Sequence, residues 1–274
     1  MPRRMVCSAS MVALALGVFM ATLSSPASAG WTFRRMVSSR GTGLSTTEAQ
    51  RVWVEGASYR VETEHEPDAA FASDVVISTD LGESEIALNT KRQTWFDNLA
   101  WRGGSAPSSR LFRLDLPSVG PATPRNVRLD LVDLGEGPRF EDRATRRYLL
   151  RLSYKLEGKV GTFKVSARVE VTAEATTVPF LEEIRFVAPE LRLRTGFPET
   201  DQALGEKMNG IRGFPVDFQL SVTQHIEGGE ARTELKSFKV TGIEAVQVPE
   251  AAFERPKGYH LEEPVMTAPG VVRR

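Results

Sequence analysis

The residues with the chemistry to bind a cation gather in one acidic stretch. His65 stands among Glu62, Glu64, Glu66 and Asp68, and imidazole and carboxylate groups are common metal ligands. Their spacing matches neither His-Glu-x-x-His nor a calcium-binding loop. Acidic residues two positions apart share one face of a strand, and an exposed acidic strand face is ordinary. We therefore expect a solvated strand here and no metal site.

Motifs for covalent or cofactor chemistry are missing from the sequence. It contains no Gly-x-Ser-x-Gly turn that would expose a nucleophilic serine, and Gly135-Glu136-Gly137 lacks the rest of a dinucleotide fingerprint. The adjacent pairs Glu182-Glu183 and Glu262-Glu263 would point to opposite strand faces, so neither forms a catalytic dyad. Distant residues could still meet in space. The motifs alone predict a non-enzyme without a cofactor.

The first 29 residues have the pattern of a secretory signal peptide. Arg3 and Arg4 precede an apolar run at residues 11–23, and Ala27-Ser28-Ala29 supplies a small-x-small cleavage site. The run is too short for a membrane-spanning helix, which needs about 20 residues. Cleavage would leave a periplasmic or secreted chain beginning at Gly30. That chain would have no cysteine, because Cys7 lies in the signal.

Charge gives no indication of a polyanionic partner. Removing Arg3 and Arg4 from the 35 basic residues leaves 33 against 35 acidic residues, a net charge of −2. We therefore expect neither nucleic acid nor an anionic membrane surface as a partner. No second hydrophobic span follows the signal. The remaining chain of about 245 residues is long enough to fold around a core without disulfides.

Short alternating segments separated by turn residues predict a β-meander in the first part of the chain. Residues 98–109 are predicted to form a loop, and residues 110–116 fit either a short helix or a strand. The predicted strands of this part are residues 31–39, 49–54, 59–63, 75–77, 86–88 and 93–96.

The longest alternating strands are predicted in the middle of the chain. Every second residue from Tyr148 to Leu156 and from Phe163 to Val171 is apolar, so two neighbouring strands could bury ten apolar side chains on one face. Residues 181–186 are predicted to add a strand. Residues 200–212 are predicted to form a helix, with three apolar positions and a C-terminal cap: Leu204, Met208, Ile211 and Gly213.

The final stretch, residues 213–259, is predicted to be the closing edge of one large sheet. Val216, Phe218, Leu220 and Val222 share one strand face, and the stretch ends on an aromatic-rich segment from Phe253. We expect residues 30–260 to form one domain and residues 261–274 to be a flexible tail. The apolar face could be filled or could line a cleft, and the sequence leaves both open.

The order of these segments resembles the periplasmic domains related to the lipoprotein carriers LolA and LolB. The resemblance rests on Tyr59-Arg60-Val61-Glu62, on the run from Asn89 to Phe96, on Gly213-Phe214-Pro215, and on the closing segment from Val248 to Tyr259. It implies a mainly β (α+β) fold, a single strongly curved antiparallel half-barrel with one or a few helices over its concave side. Two features depart from the family, the missing acylation cysteine and the single clear helix.

The resemblance also implies a function, the binding of a lipid-like ligand such as acyl chains in an apolar cavity of the half-barrel. The partner would be a lipid or the acyl chain of a lipoprotein. The alternative is a non-catalytic module of the cell envelope that binds a protein partner and no small molecule. The side chains expected to line the cavity are Tyr59, Trp95, Tyr148, Leu150, Phe163, Val165, Phe218, Leu220 and Met208.

Overall fold

The computed structural model describes residues 30–41, 44–64, 73–80, 84–97, 123–160, 163–181, 184, 193, 195 and 197–262. These residues are mainly β structure with the helix α1 (Pro198–Met208) and a short 3₁₀ helix, Glu250–Phe253. The predicted mainly β class is confirmed. In chain order the strands are β1 (Gly30–Gly41), β2 (Leu44–Glu55), β3 (Ser58–Thr63), β4 (Val75–Ser78), β5 (Ile86–Asn89), β6 (Thr94–Asp97), β7 (Thr123–Glu136), β8 (Arg146–Val160), β9 (Phe163–Val178), β10 (Phe214–Ile226), β11 (Arg232–Val246) and β12 (His260–Leu261).

All strands belong to one open sheet of 12 strands, in the order β12-β6-β5-β4-β3-β2-β1-β11-β10-β9-β8-β7. Neighbouring strands are antiparallel, apart from β12, which pairs with β6 in parallel. The two ends of the sheet are therefore β12 and β7. The last strand extends to Leu261, one residue beyond the domain boundary expected from the sequence.

The alternating patterns of the long strands are confirmed by burial. In β8 the residues at every second position from Tyr148 to Leu156 are buried, and in β10 Phe214, Val216, Phe218, Leu220 and Val222 are buried. Because side chains alternate across a strand, these residues share one face of the sheet. We call this the core face, and α1 packs on it.

The buried apolar side chains form two clusters on opposite faces. The satellite cluster consists of Val75, Ile77, Leu88, Val248 and Phe253, on the face opposite to α1. The core cluster, on the core face, consists of Phe33, Val37, Val52, Val54, Tyr59, Tyr148, Leu150, Leu152, Tyr154, Leu156, Ala167, Val169, Val171, Ala173, Ala175, Val178, Leu181, Ile184, Leu193, Leu204, Met208, Ile211, Phe214, Val216, Phe218, Leu220, Val222, Phe238, Val240 and Ile243.

The helix α1 is shorter than the sequence predicts. Leu204 and Met208 are buried as expected, but the helix ends at Met208, with Asn209 as its C-cap. Ile211 packs into the core cluster from beyond the helix. Gly213 is not the helix cap: it has φ +84° where the chain enters β10. A Cβ there would lie 2.7 Å from the carbonyl oxygen of Val178, so the backbones approach too closely for another residue.

The strand predicted at residues 181–186 is wrong where the structure describes it. Leu181 and Ile184 lie in 3₁₀ turns, and both are buried in the core cluster. Both side chains therefore reach the core without a strand. Residues 182–183 and 185–186 lie outside the described part of the chain.

The stretch predicted to close the sheet lies instead at its centre. β10 pairs with β9 and β11, and β11 pairs with β1. The hairpin of β10 and β11 thus joins two meanders, β1–β6 and β7–β9, into one sheet. Among the described strands that follow α1, only β12 lies at an edge of the sheet. The sequence could not reveal this, because alternation reports which face is buried and not which strands are neighbours.

Several sequence predictions fall outside the described residues. They concern the signal peptide at residues 1–29, the loop and undecided segment at residues 98–116, and the tail beyond Glu262. No helix among the residues that the structure does describe is long and apolar enough to span a membrane.

Candidate functional site

The core face gathers most of the side chains that the sequence nominates for a ligand. Six of them belong to the core cluster: Tyr59, Tyr148, Leu150, Met208, Phe218 and Leu220. Tyr148 and Leu150 extend from β8, Phe218 and Leu220 from β10, and Met208 from the last turn of α1. All six are buried. The structure therefore places side chains from four elements, β3, β8, β10 and α1, around one apolar layer between sheet and helix.

The remaining three nominated residues do not join this group in the described structure. Trp95 packs against the satellite cluster on the opposite face, and its ring lies 4.4 Å from the guanidinium carbon of Arg255. The side chains of Phe163 and Val165 lie outside the described ones, although both residues belong to β9.

Tyr154 is a residue of the core face that sequence reasoning treated only as an apolar strand position. Its side chain is 1% exposed, and its hydroxyl has no hydrogen-bond partner within the described part of the chain. Its ring meets Phe197, directly before α1, edge to face with centroids 6.1 Å apart. Burial raises the pKa of Tyr154, and the nearby Asp201 carboxylate raises it further. The hydroxyl is thus a protonated donor in an apolar layer.

Asp201 also fixes the start of α1 beside Tyr154. The hydroxyl of Thr195 donates to Asp201 Oδ1 at 2.7 Å, and the backbone N–H of Thr195 donates to the same oxygen at 2.5 Å. No side chain caps the helix at Phe197, and Pro198 begins it. The carboxylate therefore ties the preceding chain to the first turn of the helix. This contact sets the position of Phe197 over the Tyr154 ring.

A second buried polar group of the core face lies on β1 and β2. The side chain of Arg35 is 8% exposed, and its Nε donates to Gln50 Oε1 at 2.7 Å. The guanidinium carbon lies 5.8 Å from the ring centroid of Phe238. A buried cation needs such partners, because burial without them is costly. The periodicity of β1 alone did not single out Arg35.

Two cavities lie away from this layer. One of about 860 Å³ is bounded by the β2–β3 turn and the 3₁₀ helix, with Val248 and Phe253 as its apolar wall and Glu55, Glu250 and Glu254 among its polar residues. The other, of about 250 Å³, also lies on the face of the sheet opposite to the core face, where β8, β9 and β10 are neighbours.

The smaller cavity is lined by charged side chains. An Arg147–Glu174 ion pair borders it together with Asp217. Partial burial raises the pKa of Asp217, whereas Lys239 on the neighbouring strand lowers it. The cavity is thus a charged surface groove, unlike the apolar layer beneath α1.

The structure gives the histidine hypothesis little support among the residues it describes. Those residues contain no group of three or more His, Cys, Asp and Glu side chains that could hold a metal. His65, Glu66 and Asp68 lie outside them. His225 is exposed on β10, with Nε2 4.0 Å from Glu170 Oε2. The backbone N–H of His260 donates to the carbonyl of Gln93 at the β6 edge.

The described residues thus define a mainly β protein, in which a short helix packs on the apolar core face of one open sheet. No family model matches the sequence, and no curated protein matches it. Among solved structures, the chain is similar to a LolA superfamily protein from Nitrosomonas europaea, at 9% identity and a TM-score of 0.29 over 83% of this chain and 90% of that one.

The chain is also similar to a domain described as an outer membrane lipoprotein-sorting protein from Vibrio parahaemolyticus. The identity is 8% and the TM-score 0.30, over 82% of this chain and 89% of that one. The Nitrosomonas europaea protein bears the name of the family that the sequence resembles.

Proposed function

We propose that the protein is an exported carrier or sensor that binds a lipid-like ligand between the core face and α1. In this proposal the sheet is the strongly curved half-barrel that the sequence resemblance implies, and the acyl chains lie against its concave face. The protein works in the periplasm, or outside the cell, after loss of residues 1–29. It has no catalytic step. The six gathered side chains and Tyr154 contact the ligand.

The apolar layer under α1 supports a ligand of mainly hydrocarbon character. The helix has 11 residues, and only Thr200, Leu204 and Met208 among them are buried. Each fully buried apolar side chain contributes roughly 1.5–3 kcal/mol, so the attachment through Leu204 and Met208 is modest. An acyl chain could replace these contacts with its own at little net cost. Helix displacement is the route by which a ligand enters in this proposal.

The unpartnered hydroxyl of Tyr154 is the observation that carries the proposal. A buried donor without an acceptor costs about 1–3 kcal/mol, and this one lies under the first turn of α1. A ligand with an ester or carboxyl oxygen next to its acyl chain would supply the acceptor. The site thus favours a molecule that is apolar along most of its length and carries one oxygen acceptor.

The test is to purify the protein from its own host and to identify bound molecules by native mass spectrometry. We expect a lipid, and we expect a fluorescent fatty acid to bind the delipidated protein. Tyr154→Phe removes only the hydroxyl and should weaken fatty-acid binding roughly two- to twelvefold, since a hydrogen bond contributes about 0.5–1.5 kcal/mol. The free energy of unfolding of the ligand-free variant should not fall, because no hydrogen bond is lost.

Tyr259→Phe is the matched control, because Tyr259 packs against the satellite cluster on the opposite face. It should leave fatty-acid affinity unchanged. The proposal is wrong if the protein is empty in its host and also ignores fatty-acid probes. If Tyr154→Phe binds as tightly as the unaltered protein, the oxygen acceptor is not bound by Tyr154 and the assigned position is wrong.

The alternative function is a non-catalytic envelope module that binds a protein. A pull-down from the host that returns one stoichiometric protein partner and no lipid would favour it. The exposed edge of the sheet at β7 is the structural feature that favours binding to a protein partner.

A further inference from the structure

The β7 edge is a long strand with one unused side. β7 has 14 residues and pairs with β8, and it ends the sheet in the part of the chain that the structure describes. Its pairing is regular from Arg128 to Asp133, between two register shifts. An unpaired row of backbone N–H and C=O groups can template another strand. The side chains of β7 determine which strand can pair with it.

The side chains of the regular segment form a self-complementary pattern. Arg128 and Asp130 flank Leu129, and both charged residues are exposed. They occupy the face opposite to the core face, because Leu129 and Leu131 pack against the core cluster. Two antiparallel copies related by a two-fold axis through Leu129 would place Arg128 of each copy opposite Asp130 of the other. Directly opposed unlike charges stabilise a strand pair.

Only one register gives this match. When the core faces of two copies stay on the same side, the paired positions have the same parity. An axis through Arg128 or through Asp130 would set like charges against each other. An axis through Leu131 would set Asp133 against Leu129. The axis through Leu129 pairs unlike charges twice and sets Leu129 against its own copy.

Charges on an edge strand can also serve simply to keep other strands away. That role requires charge but not a particular order of signs. The ordered sequence Arg-Leu-Asp at the start of the regular segment is what pairing requires. Asp133 is a different case, because it already accepts a 2.7 Å hydrogen bond from Arg146 Nε on β8.

We propose that the protein forms a homodimer through β7, with a two-fold axis at Leu129 and a continuous sheet running through both copies. The core faces lie on the same side, so both α1 helices do as well. The occupant of the edge is a second copy of this chain, and the register is fixed by Arg128 and Asp130. The dimer does not depend on any ligand.

A charge-swap cycle measured by sedimentation equilibrium tests the pairing. Arg128→Asp and Asp130→Arg each turn two attractive contacts into two repulsive ones and should raise the dimer Kd roughly tenfold to thirtyfold. The double variant restores unlike pairs and should return the Kd to within about threefold of the original. Glu244→Arg, an exposed charge reversal on the central strand β11, is the control and should leave the Kd unchanged.

A crosslink tests the register itself. In a Cys7→Ser background, Leu129→Cys should form an intermolecular disulfide on mild oxidation, because directly opposed residues have Cα atoms about 4.5–5.5 Å apart. Leu131→Cys should not, because the two copies of that residue are displaced along the strands. The proposal is overturned if the protein is a monomer at every concentration, or if the single charge reversals leave the Kd of the dimer unchanged. Both outcomes are independent of lipid binding.

Discussion

The two edges of the sheet end in opposite ways. At the β6 edge, β12 adds a short parallel strand, with the backbone N–H groups of His260 and Glu262 donating to Gln93 and Trp95. At the β7 edge, 14 residues lie open in the described structure, and Val127 and Leu134 are each 41% exposed. One edge is covered by the chain's own C-terminal segment. The other is left with side chains suited to a partner.

The difference shows how a single sheet can be protected at one end and available at the other. The covered edge is short, since β4, β5 and β6 have four residues each. It is held by the satellite cluster and by the 3₁₀ helix. The carbonyl of Ala252 in that helix accepts a 3.0 Å hydrogen bond from Arg60 Nη1. Short strands need such support because few ladder hydrogen bonds hold them. In the described sheet the long β7 pairs with β8 alone, and it also contacts α1.

The largest contrast is expected from removing one apolar side chain at each edge. Phe253→Ala empties a buried position of the satellite cluster and should lower the free energy of unfolding by about 3 kcal/mol. Leu134→Ala, at the open edge, should change it by no more than about 0.5 kcal/mol. Urea denaturation followed by fluorescence measures both. Equal losses would show that the open edge is as tightly packed as the covered one.

A smaller effect is expected from removing β12. A chain ending at Tyr259 loses two backbone hydrogen bonds and the contact of Thr94 Oγ1 with Glu262 Oε2 at 2.9 Å. It should be about 1–2 kcal/mol less stable to unfolding than the full chain. A chain ending at Glu262 is the control and should match the full chain. If both shortened chains are equally stable, β12 does not stabilise the edge.

The smallest effect concerns the ion pair at the end of β7. A hydrogen bond from Arg146 lowers the pKa of Asp133 below its ordinary value of 3.8, and the Gly135 N–H lowers it further. A carboxyl whose pKa is lowered by folding stabilises the fold at pH values above its pKa in the unfolded chain. This contribution is lost as the pH falls through its pKa in the folded protein. Carbon-detected NMR should give a midpoint below 3.8.

Arg146→Gln provides the comparison for this titration. The midpoint of Asp133 should move upward, but part of the lowering should remain through the Gly135 N–H, which donates to Oδ1 at 2.9 Å. An unchanged midpoint would mean that Arg146 does not hold this carboxylate in solution.

The strands of the fold were largely predictable, and the reason is visible in β8 and β10. From Leu150 to Leu156 in β8 and from Val216 to Val222 in β10, buried apolar residues alternate with polar ones, so the sequence marks both the element and its inward face. The prediction at residues 181–186 went wrong because an apolar run of that length does not distinguish a strand from 3₁₀ turns. The helix end was misplaced because Ile211 continues the apolar spacing after the backbone has left the helix.

The site was predictable only in part. Five of the nominated side chains meet because residues of one phase on the strands of one sheet share a face, and Met208 joins them from α1. Trp95 does not meet them, since it falls on the other phase of a strand whose pairing partners, β5 and β12, the sequence did not specify. Nor did any pattern mark the hydroxyl of Tyr154, because its lack of a partner depends on Phe197 and α1 arriving over it.

The sequence by itself determined which residues form strands and which faces those strands bury. Successive side chains of a strand point to opposite faces, so a half-buried strand shows an alternation of apolar and polar residues. Tertiary structure alone decided that the hairpin of β10 and β11 lies at the centre of the sheet and that β7 lies at its edge. That choice depends on pairing between segments far apart in the chain, and alternation is the same for a central strand as for an edge strand.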